Sequence, residues 1–366
     1  YVLPGRNGLD LELKRMYKSG TADFYKSTVE WSGSTWVDYL DNDFIVSNSY
    51  NQGFYEMRYN LGCGWRFSYP TIENRQNSDG STYKYIHTES GDIYRMLGPT
   101  VVNNVNTYTL ENHPVKDVEI KENTTFSSYG TNVIGTRYTM TSKYLMTEKN
   151  GKKTYFDPDG RILGIVDRYG NTIRFEYVNF KYDLSEGAIT KVLISKIIDT
   201  VGREVNIEYK ENPDFHVTGY DPNTNTADSD LRYYFQVIIL LPNEKTIVYD
   251  KSCMGFRIDT LHNVRCRLQR VYGVDAALPI NDSSQIKTSL SYEKNKLGWT
   301  YFNGTTYNRA LKNTYENIDS TYDYMNKKRK DYIYGTYKKR LNTGSMEYRK
   351  VTIKKDIDYL DGSTKD

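Results

Sequence analysis

"YFDPDGRILGIVDRYGNTIRFEY", residues 155–177, decides how the rest of the chain is read. It holds two Asp-x-x-Gly tetrapeptides, Asp157 to Gly160 and Asp167 to Gly170. The second runs into Thr172-Ile173-Arg174-Phe175-Glu176-Tyr177, a strict polar/apolar alternation of the kind that marks a half-buried strand. Aspartate at the first turn position accepts hydrogen bonds from backbone N–H groups further along, and glycine at the last position tolerates positive φ. Carboxylates on glycine turns can also serve chemistry, but no nucleophile accompanies these. They are read as turn caps.

A third copy follows. "DTVGREVNIEY", residues 199–209, repeats the Asp-x-x-Gly turn, the alternation and the Glu-Tyr ending of "DRYGNTIRFEY". The Gly-Arg pair of Gly202-Arg203 also occurs at Gly160-Arg161. This is internal repetition of a strand–turn–strand unit. Its structural turn residues are Asp157, Gly160, Asp167, Gly170, Asp199 and Gly202. The tyrosine closing each strand is expected to pack its ring on the next strand and keep its hydroxyl near solvent.

Working outward, Leu9, Leu11 and Leu13 alternate with Asp10, Glu12 and Lys14, as in a half-buried strand. Residues 20–60 read as loops and short strands. Asp79-Gly80, Ser90-Gly91 and Pro242-Asn243 mark hairpins, and Asn150-Gly151 is the best type I′ signal. Residues Val237 to Leu241 lack alternation, so that strand is expected to be covered on both faces. In residues 307–326, Leu311, Tyr315, Ile318, Tyr322 and Met325 follow a 4, 3, 4, 3 spacing, which predicts one short amphipathic helix. The expected fold is all-β: antiparallel hairpins repeated in a long curved sheet. Three regions are expected: 1–145 before the repeats, 146–210 carrying them, and 211–366 continuing irregularly with the helix.

The composition narrows the function. The 366 residues include 36 tyrosines, which favour strands and two-sided sheets with semi-wet faces. A net charge of +3 gives no overall reason to expect nucleic acid or an anionic membrane as partner. No apolar run approaches the ~18 residues of a membrane span. The chain begins at Tyr1 and not Met, which implies a mature product or a cut fragment. Cys63, Cys253 and Cys266 form no zinc pattern; a Cys253–Cys266 bridge is one alternative, and buried thiols are the reading preferred. The four histidines, His87, His113, His216 and His262, stand in no catalytic motif. The loop from Asp221 to Asp230 places Asp221, Asn223 and Asn225 at calcium-loop spacing, but Thr226 and Arg232 stand where such a loop wants Gly and Glu. The basic residues Lys327 to Lys330 and Lys338 to Arg340 read as solvated faces. No enzyme activity, cofactor or metal is expected. Trp31, Trp36, Trp65 and Trp299 are the candidate binding aromatics for a second reading, a surface module for cell-surface glycan.

The stretch from Gly151 to Tyr177 resembles the RHS/YD repeat, in its Phe-Asp, its Gly-Arg, its Asp-x-x-Gly-Asn and its closing Tyr. "LISKIIDTVGREVNIEY" resembles a second, shorter copy, and "LPGRNGLDLELKRMYKSG" with "LGCGWRFSYP" is similar to the segment before the repeats in large bacterial RHS proteins. The resemblance implies a structural module of a secreted or wall-associated bacterial protein of polymorphic-toxin type. In it a β-ribbon shell would enclose or present a C-terminal toxin, and the partner would be the rest of its own longer chain. The sequence departs from the family in carrying no Asp-Pro-Leu-Gly-type motif near its end.

Overall fold

The computed structural model describes residues 1–18, 28–31, 36–39, 54–62, 64–76, 81–113, 115, 117–184, 187–211, 233–253, 267–274, 286–302, 307–323, 328–341, 344–358 and 364–365. The described chain is predominantly strand, and its strands pair almost entirely with antiparallel neighbours. The hairpin of Thr71–Gln76 and Thr82–His87 leads into Ile93–Val102, Val105–Leu110 and Val118–Glu122. From Tyr144–Glu148 the chain meanders through Lys153–Phe156, Ile162–Val166, Thr172–Leu184, Gly187–Ile198, Glu204–Glu211, Tyr233–Leu240, Thr246–Cys253 and Arg267–Val274.

One insertion interrupts the meander. Val118–Glu122 pairs directly with Tyr144–Glu148, and the hairpin between them, Ser127–Thr131 with Arg137–Thr141, folds aside. Ile162–Val166 is short and covers Thr172–Leu184 only as far as Arg174. The rest of that side would be an open edge. Ser127–Thr131 takes the vacancy in parallel, Gly130 opposite Tyr177 and Thr131 opposite Val178, and the Ser128 hydroxyl donates to the Phe175 carbonyl.

Most of the described hairpins share one turn. In seven described cases the first residue and the fifth exchange a backbone bond while the fourth N–H returns to the first carbonyl: 88–92, 132–136, 148–152, 157–161, 167–171, 199–203 and 241–245. This is a type I turn closed by a bulge residue at positive φ, a common connection for right-twisted strands. The expected type I′ turn at Asn150-Gly151 is therefore corrected: only Gly151 has positive φ, and Glu148 N–H donates to the Lys152 carbonyl. A type I′ turn does occur at Asn103-Asn104, where both φ are positive, 50° and 63°, between paired Val102 and Val105.

The helix expected within 307–326 is also corrected. Tyr307–Asp323 is a strand that pairs with Ile286–Phe302 from Phe302 opposite Tyr307 to Thr288 opposite Asp323. Between the stripe positions stand Asn, Thr, Asp and Ser, which are weak helix formers, so the long-range ladder prevails over the local stripe. Among the described residues the α-helix lies instead at Phe54–Tyr59.

Among the described residues the main core is a connected cluster running from Leu3 to Leu290. Tyrosine is a core residue here: Tyr55, Tyr59, Tyr69, Tyr144, Tyr177 and Tyr209 are all buried. The expectation that the closing tyrosines keep wet hydroxyls is overturned. Tyr177 and Tyr209 are 1% and 7% exposed and donate to backbone carbonyls. A buried phenol satisfied in this way contributes ring packing with no stranded polar group. Residues 237–241 are covered on both faces as expected: Val237, Ile239 and Leu241 join the main core, and Ile238 packs with Val248 and Tyr272 behind it.

Candidate functional site

The helix Phe54–Tyr59 lies against Trp65–Phe67 and Gly187–Ile198, turning Tyr55, Glu56 and Tyr59 inward. It ends where Asn60 takes φ 55°, a left-handed conformation that asparagine tolerates better than other non-glycine residues. Asn60 N–H donates to the Glu56 carbonyl and Gly62 N–H to Glu56 Oε2, so the helix exit holds the carboxylate in place.

Two polar groups meet the sheet under this helix. In the first, Glu56 and Asn60 face two lysines from distant strands. Lys191 Nζ lies 3.3 Å from Glu56 Oε1 and 3.1 Å from Asn60 Oδ1. Lys251 Nζ lies 3.1 Å and 2.8 Å from the same two atoms and 5.9 Å from the centre of the Phe235 ring. Glu56, Lys191 and Lys251 are 2%, 2% and 0% exposed. Burial pushes the Glu56 carboxyl up, but Lys191, Lys251 and the Gly62 N–H outweigh it and hold it below the ordinary range. The group is therefore a dry, charged cluster.

In the second, Tyr55, His87 and Glu73 form a chain. His87 Nε2 lies 2.8 Å from Glu73 Oε2, and Tyr55 Oη lies 2.7 Å from His87 Nδ1. An ionised carboxylate only accepts, so Nε2 carries the proton and the Tyr55 hydroxyl donates to Nδ1. Arg75 also bonds Glu73 Oε2 at 2.9 Å, and the Arg66 guanidinium faces the Tyr55 ring. Burial pulls the His87 imidazole below its usual value against the pull of Glu73, and lifts the Tyr55 phenol to about 12.

The first of the repeat turns borders this site, and the other two repeat its internal bonds. Asp157 Oδ1 accepts from Arg161 N–H at 2.7 Å, and Oδ2 meets the Arg161 guanidinium at 3.0 Å. Asp199 holds Val201 and Arg203 N–H with Oδ1 and Arg203 Nε, at 2.6 Å, with Oδ2. Asp167 does the same with Tyr169 and Asn171 N–H and the Asn171 amide. The residue after each glycine thus clamps the second carboxylate oxygen, which is why the Gly-Arg pair recurs. Gly160, at φ 81°, also lets the turn abut Ile72, whose carbonyl oxygen would stand 2.1 Å from an added Cβ. The Gly160 carbonyl accepts from Ile72 N–H and the Thr71 hydroxyl, and Arg58 of the helix donates to the Asp159 carbonyl at 2.6 Å. The first Asp-x-x-Gly turn is therefore where repeat, hairpin and helix join.

The four aromatic candidates lie on four different strands. Trp65 is 7% exposed and packs beside Tyr17, with Arg15 over its ring. Trp31 and Trp36 oppose each other across a hairpin, and Trp299 lies on Ile286–Phe302 opposite Ala310 and Met346. The side chains of these three, the 221–230 loop and the Cys253–Cys266 pairing lie outside the described residues. Among the described residues no group of His, Cys, Asp and Glu could hold a metal ion, and no helix is long and apolar enough to cross a membrane.

Sequence reasoning missed Glu56, Asn60, Lys191, Lys251, Tyr55, Glu73 and His87. A signal existed for the lysines. Lys191 shares a strand face with Leu193, and Lys251 with Tyr249, so each occupies an inward slot of an apolar alternation. No protein-family model matches the chain, and no curated protein matches it.

Proposed function

We propose that this chain is a non-enzymatic structural module of the RHS/YD-repeat kind, part of a secreted or surface-exposed bacterial protein, and that its sheet encloses or presents another part of a longer polypeptide. One observation carries the reading. The 32-residue spacing that relates Asp167, Gly170 and Tyr177 to Asp199, Gly202 and Tyr209 also relates their hydrogen bonds, down to tyrosine donors whose acceptors, Ile162 and Ile194, are offset by the same 15 positions. A chain that repeats its buried polar contacts as well as its turns is built to extend a sheet. The functional-site geometry supports the same reading, because the polar groups under the helix are internal fastenings.

The test is protease protection in the native polypeptide that contains this chain. Segments beyond residue 366 are expected to resist a protease while the module is folded and to be cut once mild denaturant opens it. Equal cutting rates in both states, or a native polypeptide with no further segment, would overturn enclosure.

A further inference from the structure

We propose that the buried cluster under the helix is an autocatalytic cross-linking site, in which Lys251 and Asn60 join through an isopeptide bond with Glu56 as the proton carrier. This inference stands apart from the scaffold reading and does not depend on the repeats.

The reaction needs four things. The first is an amine held against a carboxamide: Lys251 Nζ sits 2.8 Å from Asn60 Oδ1. The second is a base beside the amine: Glu56 Oε1 is 3.1 Å from that nitrogen. The third is a donor to the carboxamide oxygen as charge develops there: Lys191 Nζ is 3.1 Å from Oδ1. The fourth is exclusion of water, which would compete as nucleophile: Glu56, Asn60, Lys191 and Lys251 are all buried. Positive φ at Asn60 and the Gly62 N–H on Glu56 fix acceptor and base before any reaction, and the partners cannot diffuse apart. Lys251 is assigned as nucleophile over Lys191 because it is nearer to both atoms.

The steps balance. Glu56 takes a proton from the Lys251 ammonium. The neutral amine attacks Asn60 Cγ, a C–N bond forms, and the carbonyl electron pair moves onto Oδ1 beside Lys191. Protons pass from Nζ, through Glu56, to the departing nitrogen. The Cγ–Nδ2 bond breaks as the carbonyl re-forms. Of the three ammonium protons one stays on the new amide, and two leave with the former NH2 group as ammonium. No oxidant or other reactant is needed. The bond would tie the helix exit to the strand Thr246–Cys253, so that this part of the core could not unravel from either end.

The experiment is mass spectrometry of the folded, then denatured, full chain, followed by tryptic mapping. The expected mass is lower than the sequence mass by one ammonia. The expected map contains a branched peptide joining the fragment that begins at Tyr59 to the fragment containing Lys251. Lys251→Arg and Glu56→Gln should each restore the sequence mass. The wild-type mass decides the matter if a variant fails to fold. A folded wild-type chain with its full sequence mass, or ammonia loss with no branched peptide, overturns the proposal. A branch at Lys191 overturns the assignment of the nucleophile.

Discussion

The Tyr177 hydroxyl donates to the Ile162 carbonyl at 2.5 Å, and the residue after that acceptor, Leu163, is skipped in the register between Phe156 opposite Ile162 and Tyr155 opposite Gly164. The second unit repeats the device. Tyr209 donates to Ile194 at 2.7 Å, and Ser195 is skipped between Tyr177 opposite Ile194 and Glu176 opposite Lys196. A bulge leaves its extra residue unpaired and disrupts the ladder locally. The tyrosine of the following strand is the group that meets the carbonyl beside it. Tyr177→Phe and Tyr209→Phe keep the rings and remove only the donors. Each should cost about 1–3 kcal/mol, the penalty of a buried acceptor left unmet. The urea midpoint should fall with an unchanged slope, and no loss in either variant would mean that the carbonyls find other partners.

Asp199 holds two backbone N–H groups and the Arg203 guanidinium with a buried carboxylate. Asp199→Ala should cost about 1–2 kcal/mol, the scale of a lost backbone cap. Burial alone would raise this carboxyl, but the hydrogen bonds from Arg203 and Val201 hold it below its ordinary 3.8. A depressed acid stabilises the fold above its unfolded value and loses that contribution as the pH falls through the folded one. The gap between wild type and variant should therefore be constant near neutrality and close below pH 3.8, read by chemical denaturation at each pH.

The turns and strands of 155–209 were legible because their cues are local. Aspartate, glycine and alternating apolar residues act within a few positions, and the hydrogen bonds of Asp167 and Asp199 reach only two and four residues on. The polar cluster was not legible because its lysines lie 131 to 195 positions from Glu56 and Asn60, and only the packing of helix on sheet brings them together. The helix itself is six residues long, too short for a periodic signal. The 307–326 segment misled in the opposite way, since a helical stripe set among Asn, Thr, Asp and Ser of weak helix propensity yields when a long partner strand is at hand. The abundance of tyrosine pointed to semi-wet faces, yet many rings lie inside, because a backbone carbonyl satisfies a phenol as well as water does.

Asp250 is a buried acid beside Gln236, whose amide lies 3.5 Å away. Burial pushes its carboxyl up to about 6, against the opposing pull of Arg270 and Gln236. Between 3.8 and about 6 the native state holds a proton that the unfolded chain has lost, so this residue makes stability fall as pH rises through that window. Asp250→Asn removes the charge and keeps the shape. It should raise the melting midpoint at pH 7 and change it little at pH 4. A variant less stable than wild type at pH 7 would show that the ionised carboxylate is needed in the fold.

His87 carries the opposite slope. It faces Tyr55 from the helix, Glu73 and Arg75 from Thr71–Gln76, and Arg66 from Trp65–Phe67. Burial, aided by the two arginines, outweighs Glu73 and keeps the ring neutral below the usual 6.5. As the pH falls from 6.5 the unfolded chain takes up a proton and the native ring does not, so stability drops until the folded value is passed. Protonation also removes the acceptor of the Tyr55 hydroxyl, which places the cost on the contact between helix and sheet. His87→Gln should lower stability at pH 7 and flatten its decline from pH 7 to pH 5 relative to wild type. Amide exchange should locate the acid-induced opening at residues 54–62 and 82–87 before the repeat strands. Opening that begins instead in residues 172–209 would detach the histidine from the event.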